Sequence, residues 1–232
     1  MSKVLIFDFD GTLTPYPLTK LGVLEEIGFI GGTNNFDFIK LVKERMDKEN
    51  INIYESFYKT IFNVLEDNGY ILNDKNLSIG AKDIEYNKGI YEFLEHFYNK
   101  NISLNIISSG MKVFLDNTLI AKFFNKIYGT TFVYKNREIV GIDNLVTDNK
   151  KIDILLEIIN GRSISDVMYF GDGLTDIPIM EYIKSNGGTT IYVYDKEEDI
   201  ANINIDAVSY FFNKNYSKDG QLFSIVEDLV NN

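Results

Sequence analysis

The chain has 232 residues, of which 45% are hydrophobic and 25% are charged, as expected for a globular core with at most a small accessory domain. Its net charge of -11 argues against a nucleic-acid partner, because clustered lysine and arginine residues bind the phosphate backbone. The absence of cysteine excludes disulfides and thiolate metal sites. Acidic residues come too early for a signal peptide, and no apolar run approaches the roughly 18 residues of a membrane span, so we expect a cytoplasmic protein without a membrane partner.

Four short apolar runs, rich in β-branched and aromatic residues, predict β-strands: VLIF, ISLNII, DVMYF and TTIYVY. Segments with helical periodicity separate several of them, so strand and helix alternate along the chain. This alternation predicts an α/β fold with a parallel sheet that helices cover on both faces. Because ligands of such sheets bind beyond the carboxyl ends of the strands, polar residues that follow a strand are the candidate site.

The stretch from residue 15 to residue 84 interrupts this alternation. Phe38, Val42 and Met46 recur at helical spacing, and the segment IYESFYKTIFNVL repeats the pattern with five apolar or aromatic residues. We therefore predict a helical insertion over 15–84, with the α/β core formed by 1–14 and 85–232. The segment TTFVYKNREIVG predicts a β-hairpin with Lys135 and Asn136 at its turn.

The first predicted strand runs directly into two aspartates, Asp8 and Asp10. Asp followed by Gly is a common turn signal, so these residues could simply begin a turn or cap a helix. Alternatively, two carboxylates that project from one strand end can serve as a nucleophile and as a general acid/base.

A second strand also ends in acids, in the segment DVMYFGDGLTD with Asp172 and Asp176. Alone, it could be a glycine-rich turn with Asp176 at a helix N-terminus. Two strand ends with paired acids would, however, meet at one edge of a parallel sheet, where the carboxylates repel each other unless a cation binds between them. Hard oxygen ligands of this kind favour Mg²⁺.

Two further segments could hold an anion. The strand in LNIISSGMK leads into Ser108, Ser109 and Gly110, which could cap a helix or offer hydroxyl and N–H groups to an anion. Lys150 and Lys151 open an amphipathic helix, where lysines oppose the helix dipole unless they face a negative ligand. Counting back from the apolar face of this helix favours Lys151 over Lys150 for the inward position.

Taken in their order along the chain, these four segments resemble the motifs of the haloacid dehalogenase (HAD) superfamily. Within that superfamily they resemble the phosphoserine-phosphatase-like hydrolases. The resemblance covers nearly the whole chain outside the helical insertion, which corresponds in position to the helical cap of that family. It implies a Rossmann-like parallel-sheet core with a cap inserted after the first strand. It also implies a Mg²⁺-dependent phosphatase that acts on a small phosphorylated metabolite through an aspartyl-phosphate intermediate.

The resemblance assigns roles to individual residues. Asp8 would be the nucleophile, and Asp10 would protonate the leaving alcohol and later activate water. Ser108 and Lys151 would hold phosphate oxygens, with Ser109 and Gly110 close by.

The resemblance implies a metal site as well. Mg²⁺ would bind a carboxylate oxygen of Asp8, the backbone carbonyl of Asp10, and Asp172. Asp176 would not bind the metal directly but would act through water or through contacts to the metal's ligands.

One departure from the family concerns the substrate. Phosphoserine phosphatases read the amino acid with a glutamate and a cap arginine, and an ungapped comparison finds Pro17 and Thr60 at those positions. We therefore expect that phosphoserine is not the preferred substrate. A phosphomutase is an alternative reading, as is a receiver-like signalling module, although Asp10 and the helical insertion both argue against a receiver.

Overall fold

The structure, a computed structural model, describes residues 3–15, 34–200 and 203–231. Its strands are β1 Val4–Phe7, β2 Ser103–Met111, β3 Lys126–Lys135, β4 Glu138–Asn144, β5 Val167–Gly171, β6 Thr189–Tyr194 and β7 Tyr210–Asn213. Its helices are α1 Asn34–Glu49, α2 Ile53–Asp67, α3 Asp74–Leu77, α4 Ile90–Asn99, α5 Lys112–Asp116, α6 Asp148–Ile159, α7 Ile177–Ser185 and α8 Gln221–Asn231. Within these described ranges, no helix combines the length and the apolar character needed to cross a membrane.

The strands form one sheet in the order β4-β3-β2-β1-β5-β6-β7, and β4 alone among these strands runs antiparallel to its neighbour. The central strand β1 pairs with β2 on one side and with β5 on the other. All four residues of β1 are buried, as expected for a strand that is covered on both faces. The α/β fold with a mainly parallel sheet is therefore confirmed.

Two apolar layers cover the sheet. Alternate residues of a strand point to opposite faces, so Leu5 and Phe7 pack into one layer and Val4 and Ile6 into the other. Helices α4 and α8 supply aromatic side chains such as Phe93 to the first layer, and helices α6 and α7 close the second. The core thus fixes the position of β1, and with it the position of the aspartates that follow.

Helices α1, α2 and α3 lie between β1 and β2 in the chain and share a third apolar cluster. Phe38 and Val42 of α1 pack with Tyr58 of α2, as the helical periodicity predicts. The same cluster includes Met111 at the end of β2 and Phe132 of β3, so the insertion packs against these two strands. The division into a cap over 15–84 and a core stays a prediction.

The predicted hairpin is formed by β3 and β4, but its turn lies one residue further along the chain than predicted. Lys135 pairs with Glu138, which leaves Asn136 and Arg137 as the two turn residues. Both have positive φ, 53° and 71°, as a two-residue hairpin turn of the primed type requires. The prediction of Lys135 and Asn136 was wrong because an arginine rarely adopts this conformation and gives no turn signal.

Candidate active site

The candidate site lies at the carboxyl edge of the sheet, where β1 and β5 end side by side. The backbone N–H of Asp8 donates to the carbonyl of Phe170 at 2.8 Å, which continues the β1–β5 pairing beyond the strand. This bond holds Asp8 next to the turn that carries Asp172. The structure therefore brings together the two acidic strand ends that the sequence singles out.

Lys151 forms buried ion pairs with two acids of the site, Asp8 and Asp176. Its Nζ lies 2.8 Å from Oδ1 of Asp8 and 2.7 Å from Oδ1 of Asp176, and only 1% of the lysine side chain is exposed. Burial alone would lower the pKa of Lys151, but the carboxylates of Asp176 and Asp8 raise that pKa well above its usual value. Lys150, by contrast, is exposed and pairs with Asp153 at 3.2 Å, so Lys151 is the inward lysine.

Asp176 is held by four donors. Its Oδ1 accepts from Lys151 and from the hydroxyl of Tyr169, both at 2.7 Å. Its Oδ2 accepts from the backbone N–H groups of Asp172 and Gly173, both at 3.2 Å. Both carboxylate oxygens of Asp176 therefore have donors within the protein, which tie Lys151 and the turn at Asp172 to this side chain.

Asp172 is oriented from two sides. The hydroxyl of Thr12 donates to its Oδ1 at 3.0 Å, and Nζ of Lys214 lies 3.5 Å from its Oδ2. Burial, with repulsion from Asp176, raises the pKa of Asp172 to about 6. Gly11 has a φ of +79° and lies so close that a Cβ there would overlap the Asp172 carboxylate. Glycine at this position is therefore required by both conformation and space.

The carboxylates of Asp8, Asp172 and Asp176 form one acidic cluster, with an oxygen of each within 4.8 Å of the others. Burial raises the pKa of Asp8 well above its ordinary value, and the charges of Asp176 and Asp172 add to this against the opposing effect of Lys151. Such a cluster is electrostatically incomplete without additional positive charge. Its hard oxygen donors suit a divalent cation such as Mg²⁺. The side chain of Asp10 is not part of this cluster; the resemblance implies only its backbone carbonyl as a ligand.

Ser108, Ser109 and Gly110 lie within β2, which continues to Met111, and not in a turn after the strand as predicted. The pairing of β2 with β3 shifts register between Ile107 and Met111, so the backbone here departs from regular strand geometry. The buried hydroxyl of Ser108 accepts from the N–H of Gly110 at 2.9 Å. Because Phe7 pairs with Ile106 in the parallel β1–β2 pair, the segment still lies at the same edge of the sheet as Asp8.

Two tyrosines of helix α2, which lie one turn apart, contact this segment and the start of α6. The buried Tyr58 donates its hydroxyl to the carbonyl of Ser109, which also accepts from Thr130 at 3.0 Å. The half-buried Tyr54 donates to Asp148, the first residue of the helix that carries Lys151. Sequence reasoning treats both tyrosines as part of an apolar stripe, and no local signal identifies their hydroxyls as contacts to the site.

The loop after Asp10 is held in place by two distant residues that the sequence does not single out. The amide of Asn87 donates to the carbonyls of Thr12 and Thr14, at 2.8 and 3.2 Å. The hydroxyl of Tyr216 also donates to the carbonyl of Thr12, at 3.0 Å. These bonds fix the loop that positions Thr12 against Asp172.

The sheet and its polar edge define an α/β enzyme with an acidic site at the carboxyl ends of its central strands. The sequence model of the haloacid dehalogenase-like hydrolases matches residues 5–181. The chain therefore belongs to this family, as its motifs predict. The match includes the acidic cluster and Lys151, whereas Lys214 lies beyond it.

Solved structures share the fold. A HAD family hydrolase from Salmonella enterica subsp. enterica serovar Typhi is 17% identical, with a TM-score of 0.71 over 99% of this chain and 71% of that one. A phospho-aspartyl intermediate analogue of phosphoserine phosphatase is 20% identical, with a TM-score of 0.65 over 98% of both chains. A cytosolic 5′-nucleotidase IIIB bound to cytidine is 12% identical, with a TM-score of 0.64 over 98% of this chain and 84% of that one.

One curated protein matches part of the sequence. The DNA-directed RNA polymerase subunit beta of Trieres chinensis is 26% identical over 159 residues, which is 66% of this chain and 10% of that protein. The chain thus spans about a tenth of the length of this relative. An identity this low over so small a share of the polymerase subunit establishes no common family.

Proposed function

We propose that this protein is a Mg²⁺-dependent phosphatase that hydrolyses a small phosphorylated metabolite through an aspartyl-phosphate on Asp8. The observation that carries the proposal is the buried contact between Asp8 and Lys151 at the edge of the acidic cluster. A carboxylate nucleophile and a phosphate are both anionic, so their reaction requires positive charge beside the attacking oxygen. Lys151, at 2.8 Å from Oδ1 of Asp8, supplies that charge.

In the proposed first step, a carboxylate oxygen of Asp8 attacks the phosphorus of the monoester. An O–P bond forms to Asp8 while the bond from phosphorus to the alcohol oxygen breaks, and Asp10 gives its proton to the leaving oxygen. In the second step, water attacks the phosphorus and Asp10 takes a proton from it. Cleavage of the bond to Asp8 then releases inorganic phosphate and restores the free carboxylate.

The acidic cluster fits a resident Mg²⁺ ion in its donor chemistry and its charge. Carboxylate oxygens of Asp8 and Asp172, with the backbone carbonyl of Asp10, would hold the ion, and Asp176 would support it through water. The four protein donors on Asp176 favour this outer role. When bound, Mg²⁺ would neutralise charge on the phosphoryl group and on the acids around it.

The phosphate group would be bound by Lys151 and by the segment Ser108–Gly110. Lys151 contacts Asp8 directly, and the insertion reaches Ser109 through Tyr58. A helical insertion this close to the nucleophile favours a small substrate, which the insertion would shield from water during transfer.

The similar structures include a phosphoserine phosphatase and a nucleotidase bound to cytidine, so the shared fold accommodates different leaving groups. Thr60 of this chain is buried on α2, and its hydroxyl has no hydrogen-bond partner among the described residues. Pro17, the other position at which this chain departs from phosphoserine phosphatases, lies outside the described residues. That phosphoserine is not preferred stays a prediction, as does the cytoplasmic location.

A turnover assay tests this proposal. Phosphate release from an aryl phosphate should require Mg²⁺ and should disappear in Asp8→Asn, which keeps the size of the side chain but removes the nucleophilic charge. The matched control is Asp166→Asn, since Asp166 precedes β5 at the opposite end of the sheet and should leave turnover near the wild-type rate. Full activity in chelator, or in Asp8→Asn, would disprove the mechanism.

The same assay separates the alternatives. Repeated turnover that releases inorganic phosphate supports the hydrolase. A phosphomutase would return the phosphoryl group to its substrate, and a receiver-like module would keep it on Asp8 without turnover. A screen across phosphorylated sugars, amino acids, nucleotides and cofactors would then identify the substrate, with Asp8→Asn as the blank.

A further inference from the structure

Lys214 is a second cation at the acidic cluster, and it lies just beyond β7, the last described strand. It follows β7 directly, and its backbone N–H donates to the carbonyl of Tyr194 at 3.1 Å, which fixes the residue beside the end of β6. Its Nζ lies 3.1 Å from Oδ2 of Asp195 and 3.5 Å from Oδ2 of Asp172, and 10% of its side chain is exposed. A mainly buried lysine thus bridges two strand ends, one of them in the candidate site.

The two contacts have different characters. Asp195 is more than half exposed, at 54% of its side chain, so this pair is largely solvated. Asp172 is 20% exposed and belongs to the cluster with Asp8 and Asp176. The charge of Lys214 therefore acts most strongly on the cluster, where fewer water molecules screen it.

The charges around the site show what this lysine changes. Three carboxylates, those of Asp8, Asp172 and Asp176, meet here, and Lys151 alone would balance only one of them. Lys214 brings a second positive charge to Asp172, the member of the cluster with which Lys151 forms no ion pair. Such a charge repels a metal cation near Asp172 and attracts a phosphate dianion.

We propose that Lys214 is an electrostatic positioning residue of the active site, which weakens the binding of Mg²⁺ and strengthens the binding of the phosphate group. This inference rests on the proposed function for the identity of the two ligands. It predicts effects of opposite sign on a cation and an anion. A merely structural role would weaken both or neither.

The test is a pair of calorimetric titrations on the full-length protein, first with magnesium chloride and then with inorganic phosphate at saturating Mg²⁺. In Lys214→Met, which keeps the length of the side chain and removes its charge, the dissociation constant for Mg²⁺ should fall about fivefold to tenfold. The dissociation constant for phosphate should rise by a similar factor. Lys214→Arg keeps the charge and should stay within about twofold of the wild type for both ligands.

Lys184→Met is the matched control. Lys184 is also partly buried, but its Nζ donates to the carbonyl of Val208 at 2.6 Å and contacts no carboxylate of the cluster. It changes the net charge by the same amount, so both constants should stay at the wild-type values. If Lys214→Met fails to fold, Lys214→Gln provides the same comparison.

The outcomes separate the two proposals. If the wild type binds neither Mg²⁺ nor phosphate, the proposed function fails. If the wild type binds both and Lys214→Met changes neither constant, or shifts both in the same direction, the inference about Lys214 alone is wrong. Opposite shifts that are absent from Lys184→Met support it.

Discussion

Replacing Lys151 with methionine should destabilise the protein strongly, because it leaves two buried carboxylates without their shared cation. Lys151 makes charge-assisted hydrogen bonds to Asp8 and Asp176, at 2.8 and 2.7 Å, and these three side chains are at most 9% exposed. Each such bond contributes about 1.5–3 kcal/mol, and removing one partner of a buried ion pair costs about 3–5 kcal/mol. We therefore expect the free energy of unfolding to fall by about 3–5 kcal/mol.

Urea denaturation at neutral pH without metal measures this loss. The midpoint should move down by roughly 1–2 M, given the usual dependence of stability on urea. Lys150→Met is the control, because Lys150 is exposed and forms only a solvated pair with Asp153, whose loss should cost at most about 0.5 kcal/mol. A loss below about 1 kcal/mol in Lys151→Met, or equal losses in both variants, would refute the reasoning.

Three further results are expected. Gly11→Ala should weaken Mg²⁺ binding at least about tenfold in calorimetry, because its Cβ would overlap the Asp172 carboxylate. Gly69→Ala, with nearly the same φ and open space around it, should only destabilise the fold by about 1–2 kcal/mol, and equal metal affinities in the two variants would contradict this. Tyr54→Phe removes the hydrogen bond to Asp148 and should lower the hydrogen-exchange protection of the α2 backbone amides about threefold to tenfold. Unchanged protection would show that this bond does not hold the insertion in place. Mg²⁺ at ten times its dissociation constant should raise the free energy of unfolding, measured by urea titration, by about 1.4 kcal/mol. A chelator should reverse this gain, and the gain should be absent in Asp172→Asn.

The sequence predicts those parts of the site that depend on local pattern. Asp8 and Asp172 each follow an apolar strand directly, so strand prediction alone places them at the edge of a parallel sheet. Lys151 is identified by its position relative to the apolar face of its own helix. These inferences need only residues that are close in the sequence. The structure brings Asp8 close to both Asp172 and Lys151.

Residues that reach the site over long sequence separations could not be predicted in this way. Tyr58 meets Ser109 across 51 positions, and Tyr54 meets Asp148 across 94. Lys214 follows a four-residue strand and approaches Asp172 only because the sheet order places β7 two strands from β5. A lysine after a short apolar run is too common to signal a site, so its role follows only from the topology.

The most direct test of the central claim is whether a phosphoryl group becomes covalently attached to Asp8 during turnover. The protein would be mixed with a radiolabelled phosphomonoester and Mg²⁺, quenched in acid within a single turnover, and digested for peptide mapping. We predict transient label on the peptide that contains Asp8, lost with hydroxylamine, and none in Asp8→Asn. Steady phosphate release with no label on Asp8 at any quench time would contradict the aspartyl-phosphate mechanism.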